Sequence, residues 1–254
     1  MLWHTGEVKM IKGFILAIQF LTRIPINIPV DFNRENLSKT TFFYPLTGMI
    51  IGGIAGLVYY LASYINKDIA SFLAVTTIII VTGGLHLDGL GDTFDGFLSA
   101  RDRERILDIM KDSRIGTYGV VAIILDILLK YVVISNLKGN VPLFLALSCG
   151  NGRLVSVIFM SFFKTARPGG IGDTLVKSNP KKYALSGAIL YSIMTFLINP
   201  VYLIPLGISL IYAFLIKIKT YKVIGGFTGD VYGASIETTE IVSLLSFMGV
   251  MAWM

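Results

Sequence analysis

Apolar residues fall into long, sparsely charged runs separated by short polar segments, and most runs far exceed the four to eight residues of a buried strand. A transmembrane helix needs roughly 20 mainly apolar residues. Seven runs qualify: 42–64, 69–87, 115–137, 141–163, the two halves of 183–216, and 236–254. The 183–216 run is too long for one span, and Asn199-Pro200 near its middle is turn chemistry that divides it. The pattern predicts an all-α fold, a polytopic integral membrane bundle of about seven transmembrane helices. A further stretch at 13–21 is apolar but short, with Arg23, Pro25 and Pro29 close behind. Within the N-terminal segment 1–41 it is expected as an interfacial or re-entrant helix. It has the look of a signal-peptide core, but no small-residue cleavage site follows, so retention is expected.

Composition agrees. Of 254 residues, 54% are apolar and only 15% charged, against about 25% charged in a soluble protein. A water-soluble domain of this size could not cover its core with so few charges, which excludes a cytosolic globular enzyme, a disordered chain and a free nucleic-acid binder. The net charge of +6 instead records topology. Threading the runs alternately across a bilayer leaves Lys67 and Lys138 on one side and Lys130 and Arg153 within spans, while the other 18 of 22 Lys and Arg share the opposite side. By the positive-inside rule that side is cytoplasmic, and attraction to anionic lipid or substrate is a second contribution. The one cysteine, Cys149, lies in an apolar run and is expected as a small buried residue, which excludes an internal disulfide. Neither an internal repeat nor a soluble domain is evident, so residues 1–254 are expected as one membrane-embedded domain. Its chemistry should then lie in the cytoplasmic loops, chiefly 88–114 and 217–235.

The segment 83–96, GGLHLDGLGDTFDG, places Asp88, Asp92 and Asp95 at i, i+4 and i+7, on one face of a helix. Carboxylates so close, beside hydrocarbon, raise one another's pKa unless a cation neutralises them. Hard oxygen donors suit magnesium, which binds one or two carboxylates plus a substrate phosphate. Gly89, Gly91 and Gly96 would let a bulky phosphorylated ligand reach the backbone. The plainer alternative is a solvated acidic loop. In 101–114 the charges alternate with apolar residues as on a surface helix, and Ser113 and Arg114 stand out as a helix cap and a phosphate contact. A second cluster, 225–240, joins Gly225 and Gly226 to Thr228, a candidate N-cap, and to Asp230, Glu237 and Glu240 on one helical face. Arg167, among glycines 169, 170 and 172, is as consistent with a plain turn as with a ligand clamp. Arg153 in the fourth span should face the bundle interior and find an acid or a phosphate, and Asp126 and Lys130 should neutralise each other. His86 is open between ligand, base and structural roles. Paired acidic clusters, glycines and arginines, with no activated Ser or Cys nucleophile, fit metal-assisted displacement at a diphosphate.

The long acidic motif closely resembles that of the cobalamin synthase family, the adenosylcobinamide-GDP ribazoletransferases. It continues through Ser99-Ala100-Arg101 and Lys111-Asp112-Ser113-Arg114-Ile115-Gly116. Gln19 to Pro25, Tyr44-Pro45-Leu46, Ala166-Arg167-Pro168 and Gly226 to Ala234 match as well, so the resemblance covers essentially the whole chain. It implies a magnesium-requiring enzyme of the cell membrane with a cytoplasmic active site. The implied reaction joins adenosylcobinamide-GDP to alpha-ribazole, or its 5'-phosphate, giving adenosylcobalamin, or its 5'-phosphate, and GMP. It implies that Asp88, Asp92 and Asp95 hold magnesium, one of them taking a hydroxyl proton. Asp230 and Glu237 are expected to complete the metal wall, with Arg23, His86, Arg114, Arg153, Arg167 and Thr228 contacting substrate. The partners expected are these substrates and the lipid bilayer, without nucleic acid, and a homo-oligomer is compatible with the chain.

CDP-alcohol phosphotransferases share Asp92-x-x-Asp95-Gly96 before Ala100-Arg101, but here three residues rather than two follow the glycine and the later aspartate pair is missing. Membrane prenyltransferases match Asp88-x-x-x-Asp92 but need a second aspartate-rich motif, where this chain has a lone Asp230. A transporter would place its acids near mid-membrane rather than at span ends.

Overall fold

The structure, a computed structural model, describes residues 3–253, without the side chains of 3–9 and 171. Its helices are α1 (Trp3–Leu21), α2 (Arg34–Ser63), α3 (Lys67–Thr82), α4 (Leu85–Leu98), α5 (Arg103–Ile109), α6 (Thr117–Asn136), α7 (Val141–Phe162), α8 (Gly170–Lys177), α9 (Lys181–Ile198), α10 (Leu203–Ile224) and α11 (Gly229–Trp253). A single bridge between Thr165 and Phe227 is the only extended pairing among the described residues. The polytopic helical class is as expected.

Five segments are long and apolar enough to cross a membrane: α2, α6, α7, α10 with its leading 3-10 turn (Pro200–Ile224), and α11. α3 and α4 meet at 90°, and would add a sixth span if the bent pair crosses as one. α9 occupies the place of the remaining expected run, but its Lys181, Lys182 and several small or hydroxylated residues keep it below that apolar standard. The turn at Asn199-Pro200 falls where expected, with Asn199 Oδ1 accepting from Val201 N at 3.0 Å. The described part of α1 packs its Leu16, Ala17, Ile18 and Leu21 into the protein, chiefly against α2.

Two helices begin well before their apolar runs. α2 starts at Arg34, where Asn33 Oδ1 caps Asn36 N at 2.9 Å, and buries Asn36, Ser38, Lys39, Thr40 and Thr41 in its first turns. The Ser and Thr hydroxyls bond back to the preceding turn, as Thr40 Oγ1 does to Leu37 O at 2.6 Å, while Lys39 pairs with Glu35 at 2.7 Å and Asn36 donates to Asp31 O at 2.9 Å. α11 likewise starts at Gly229 rather than at 236.

α7 is the central helix, buried over nearly its whole length, and α2 lies along it. Gly48, Gly52 and Gly56, one turn apart on α2, face the backbone of Cys149, Leu145 and Pro142 on α7. A Cβ on Gly52 would overlap the Leu145 carbonyl. Between helices in lipid, where no hydrophobic force drives association, such close backbone contact is a main source of stability. Cys149 is buried here, 1% exposed. Gly52→Ala should therefore destabilise the protein by about 3 kcal/mol or more through overpacking. Gly53→Ala, with nothing within 4 Å of its Cβ, should be neutral or slightly stabilising. Thermal unfolding in detergent, followed by aggregation, checks the contrast.

Candidate active site

α4 exists because two glycines turn the corner into it. Gly83 and Gly84 both adopt left-handed backbone, φ 66° and 70°, which most side chains cannot follow. Their N–H groups bond Ile80 O and Ile79 O at 3.1 and 3.0 Å, closing α3. α4 has 14 residues, about 21 Å at 1.5 Å per residue, too short to span alone, and it turns away from α3 at the point where the acids begin. The helical spacing expected for Asp88, Asp92 and Asp95 is therefore realised. The glycines between them do something other than expected. Gly89 faces the Asp230 backbone, where a Cβ would stand 2.8 Å from its carbonyl oxygen. Gly91 faces Ile123 and Ile115, and Gly96 faces Met110. They admit neighbouring helices and side chains rather than exposing backbone to a ligand.

The approach at Gly89 brings α4 and the start of α11 to one cavity of about 610 Å³. His86 and Asp88 line it from α4, Thr228 and Asp230 from the start of α11, and Arg167 and Lys111 from the loops. Thr228 caps α11, its Oγ1 accepting from Val231 N at 3.3 Å and donating to Asp230 Oδ2 at 3.2 Å. Arg167 donates to the same Asp230 oxygen at 3.4 Å and to Leu107 O at 3.0 Å. Asp92 lies a turn along α4 from Asp88, where partial burial, then Asp88, Asp230 and Asp95, push its carboxyl up to about 7 against the pull of Arg167. Among the described residues no three His, Cys, Asp or Glu side chains converge closely enough to hold a metal ion by themselves.

By its spacing Arg103 belongs among the solvated charges of 101–114. The structure instead has its Nε donating to Ile224 O at 2.9 Å and its Nη2 to Ala166 O at 2.7 Å. It ties together the two loops that carry Arg167 and Thr228, which also pair through Ala166 N to Phe227 O at 2.8 Å. Gly225 (φ 74°) ends α10, and Gly226 faces the Lys164–Ala166 backbone rather than wrapping a phosphate. Main-chain carbonyls leave no partner signal in the sequence, and the one side-chain contact of Arg103 is its exposed neighbour Glu104, at 3.5 Å.

The other expected site residues lie apart from this cavity. Asp95 accepts from Gly116 N at 2.7 Å and Gly119 N at 2.9 Å, taking the capping role expected of Ser113 at the start of α6. Arg114 is exposed and bidentate to Asp112, at 3.0 and 2.7 Å, holding that carboxyl down at about 2. Arg23 is exposed, its side chain against Gly83. Glu237 pairs with Lys130, which also meets Asp126 at 3.1 Å and Glu240 at 2.9 Å. Arg153 pairs with Glu240 and donates to His86 Nδ1 at 3.3 Å. All six are buried. The interior acid expected for Arg153 is thus Glu240, and Glu237 is engaged in the same ion network rather than lining the cavity.

A family model described as cobalamin-5-phosphate synthase matches residues 13–248. The chain belongs to this family. A Clostridium novyi protein named adenosylcobinamide-GDP ribazoletransferase is 41% identical over 245 residues, covering 94% of this chain and 98% of that protein. Proteins of the same name from Treponema denticola and Thermoanaerobacter pseudethanolicus are 37% and 36% identical, covering 92% and 94% of this chain and 96% and 98% of theirs. No solved structure matches. Family membership makes the chain a transferase of cobalamin synthesis, and its apolar helices make it a multi-pass membrane protein.

In this transferase the buried network ties α4 to α6, α7 and α11, so losing one partner strands a charge. Arg153→Met should cost about 3–5 kcal/mol, and adding Glu240→Gln should recover part of it. Chemical denaturation of the single and double variants in detergent measures the difference.

Proposed function

We propose that the chain joins adenosylcobinamide-GDP to alpha-ribazole or its 5'-phosphate in a magnesium-dependent reaction that releases GMP. The observation that carries this reading is the cavity where Asp88 and Asp230 meet beside Arg167, with Asp92 one turn away. The ribazole hydroxyl attacks the cobinamide-side phosphorus, one P–O bond forms, the P–O bond of the anhydride breaks, and GMP departs with the electron pair.

Magnesium fits the donor set. The donors are hard carboxylate oxygens, and the raised Asp92 carboxyl marks a surplus of negative charge that a cation would relieve. Asp88 and Asp230 would hold the ion together with the substrate diphosphate, the low protein-ligand count usual for magnesium. Bound there, it supplies charge neutralisation at the reacting phosphate. Arg167, steered by Leu107 O and Asp230, and Lys111 at the rim are the cations for the diphosphate oxygens. Thr228 holds Asp230 and the helix start in place. Asp92 takes the hydroxyl proton on a carboxylate oxygen, its raised carboxyl drawn back down by the bound cation so that it is ionised at neutral pH. Asp95 contributes by fixing α6 against α4.

The test is GMP release from adenosylcobinamide-GDP and alpha-ribazole by purified protein in lipid, with and without magnesium. Asp88→Asn or Asp230→Asn should lower kcat at least 100-fold, a general loss for removed charge stabilisation. Full activity in either variant, or magnesium-independent release, would sink the reading. The base must be ionised, so the rate should fall toward acid pH, with its midpoint below 7 because the bound cation lowers the Asp92 carboxyl from its metal-free position at about 7. That acid limb should be absent from the residual activity of Asp92→Asn.

The basic excess supports a cytoplasmic position for this cavity. Cys149 is buried, so single cysteines report cleanly. Lys219→Cys should react with an impermeant maleimide from the cytoplasmic face and Lys138→Cys from the other; labelling of both from one face would overturn the orientation.

A further inference from the structure

The cavity lining is divided by chemistry. Besides Asp88, Asp230 and Arg167, the polar side chains lining it are His86, Lys111, Thr165, Asp173, Thr228 and Tyr232, and the remaining side chains offer no hydrogen bond. Phe20 at the end of α1, Leu85 at the start of α4, Met160 near the end of α7 and Pro168 supply this apolar part, with buried Leu21 and Leu175 also lining it. Leu85 stands three residues before Asp88, so their Cβ atoms are about 5–6 Å apart on one helix face. A ribose separates a nucleoside base from its 3'-oxygen by a similar span.

Resting on the ribazoletransferase reading, we infer that this apolar part seats the base of the ribazole substrate, and that Phe20, Leu85 and Met160 set which base is accepted. The competing occupants fit less well. A guanine has a polar edge of donors and acceptors, and burying it against Phe20, Leu85 and Met160 would leave those groups unpaired, a heavy penalty. A corrin ring with its amide chains exceeds a cavity of about 610 Å³, which is the size of an ordinary small-molecule site. The dimethylbenzimidazole of alpha-ribazole is planar, carries two methyl groups and has no N–H once glycosylated. It is the one ring among the reactants that loses little by entering an apolar wall. The corrinoid then approaches from outside with only its diphosphate end reaching Arg167 and Asp230.

The experiment measures GMP release by full-length protein in lipid, varying the riboside: dimethylbenzimidazole, unsubstituted benzimidazole and adenine alpha-ribosides. Phe20→Ala and Met160→Ala should raise KM for the dimethylbenzimidazole riboside about tenfold, the scale of lost methylene contacts in an apolar pocket. Its advantage over the adenine riboside should shrink, while KM for adenosylcobinamide-GDP stays within about twofold. Met160→Leu, which keeps volume and apolarity, should retain the wild-type preference. Leu85 is 44% exposed, so Leu85→Ala provides the same readout if the buried changes prevent folding. A rise in KM for adenosylcobinamide-GDP instead, or an unchanged order of ribosides in every variant, overturns the inference while leaving the transferase reading intact. Wild-type protein that releases no GMP with any riboside overturns both.

Discussion

Backbone must meet backbone for this protein to hold its shape. In a bilayer the apolar faces of helices gain nothing by leaving lipid for one another, so stability has to come from contacts that lipid cannot make. Two glycine contacts illustrate the solution. Gly48, Gly52 and Gly56 let α2 lie on the central α7, and Gly89 lets α4 reach the first turn of α11. The first builds the bundle; the second builds the cavity, because it sets Asp88 beside Asp230. Gly233 repeats the second contact one turn on, against the backbone of His86.

The buried ions do the complementary work. Asp126, Lys130, Glu237, Glu240, Arg153 and His86 come from α6, α11, α7 and α4 and lie together out of water. Charges in hydrocarbon are costly and settle only against each other, so the arrangement admits few alternatives. Its value lies more in fixing how four helices register than in net stabilisation. The cavity rests on this layer through His86, which touches both.

Much of this was legible in the sequence, and the limits have physical causes. Apolar runs located the core helices because lipid burial demands them, but could not show where α2 and α11 begin, since those turns are polar and capped by Asn33 and Thr228. The helical spacing of Asp88, Asp92 and Asp95 was readable. Their division of labour was not, because Asp95 turns to the N–H groups of Gly116 and Gly119, and backbone donors have no sequence identity. Glu237 and Arg153 looked like site residues for the same reason that any intramembrane charge does; that they partner Lys130 and Glu240 depends on helix rotation. The glycine ladder at 48, 52 and 56 carries a spacing signal of its own for close helix packing.

The loops around the cavity are fastened by Arg103 through the carbonyls of Ile224 and Ala166. Every residue type presents a carbonyl, so this fastening is indifferent to what the loops carry. A side chain that faces only the cavity can be exchanged without loosening this fastening, whereas the cap at Thr228 and the glycines at 225 and 226 cannot. Recognition and architecture are in this way written in separate alphabets, one of side chains and one of peptide bonds.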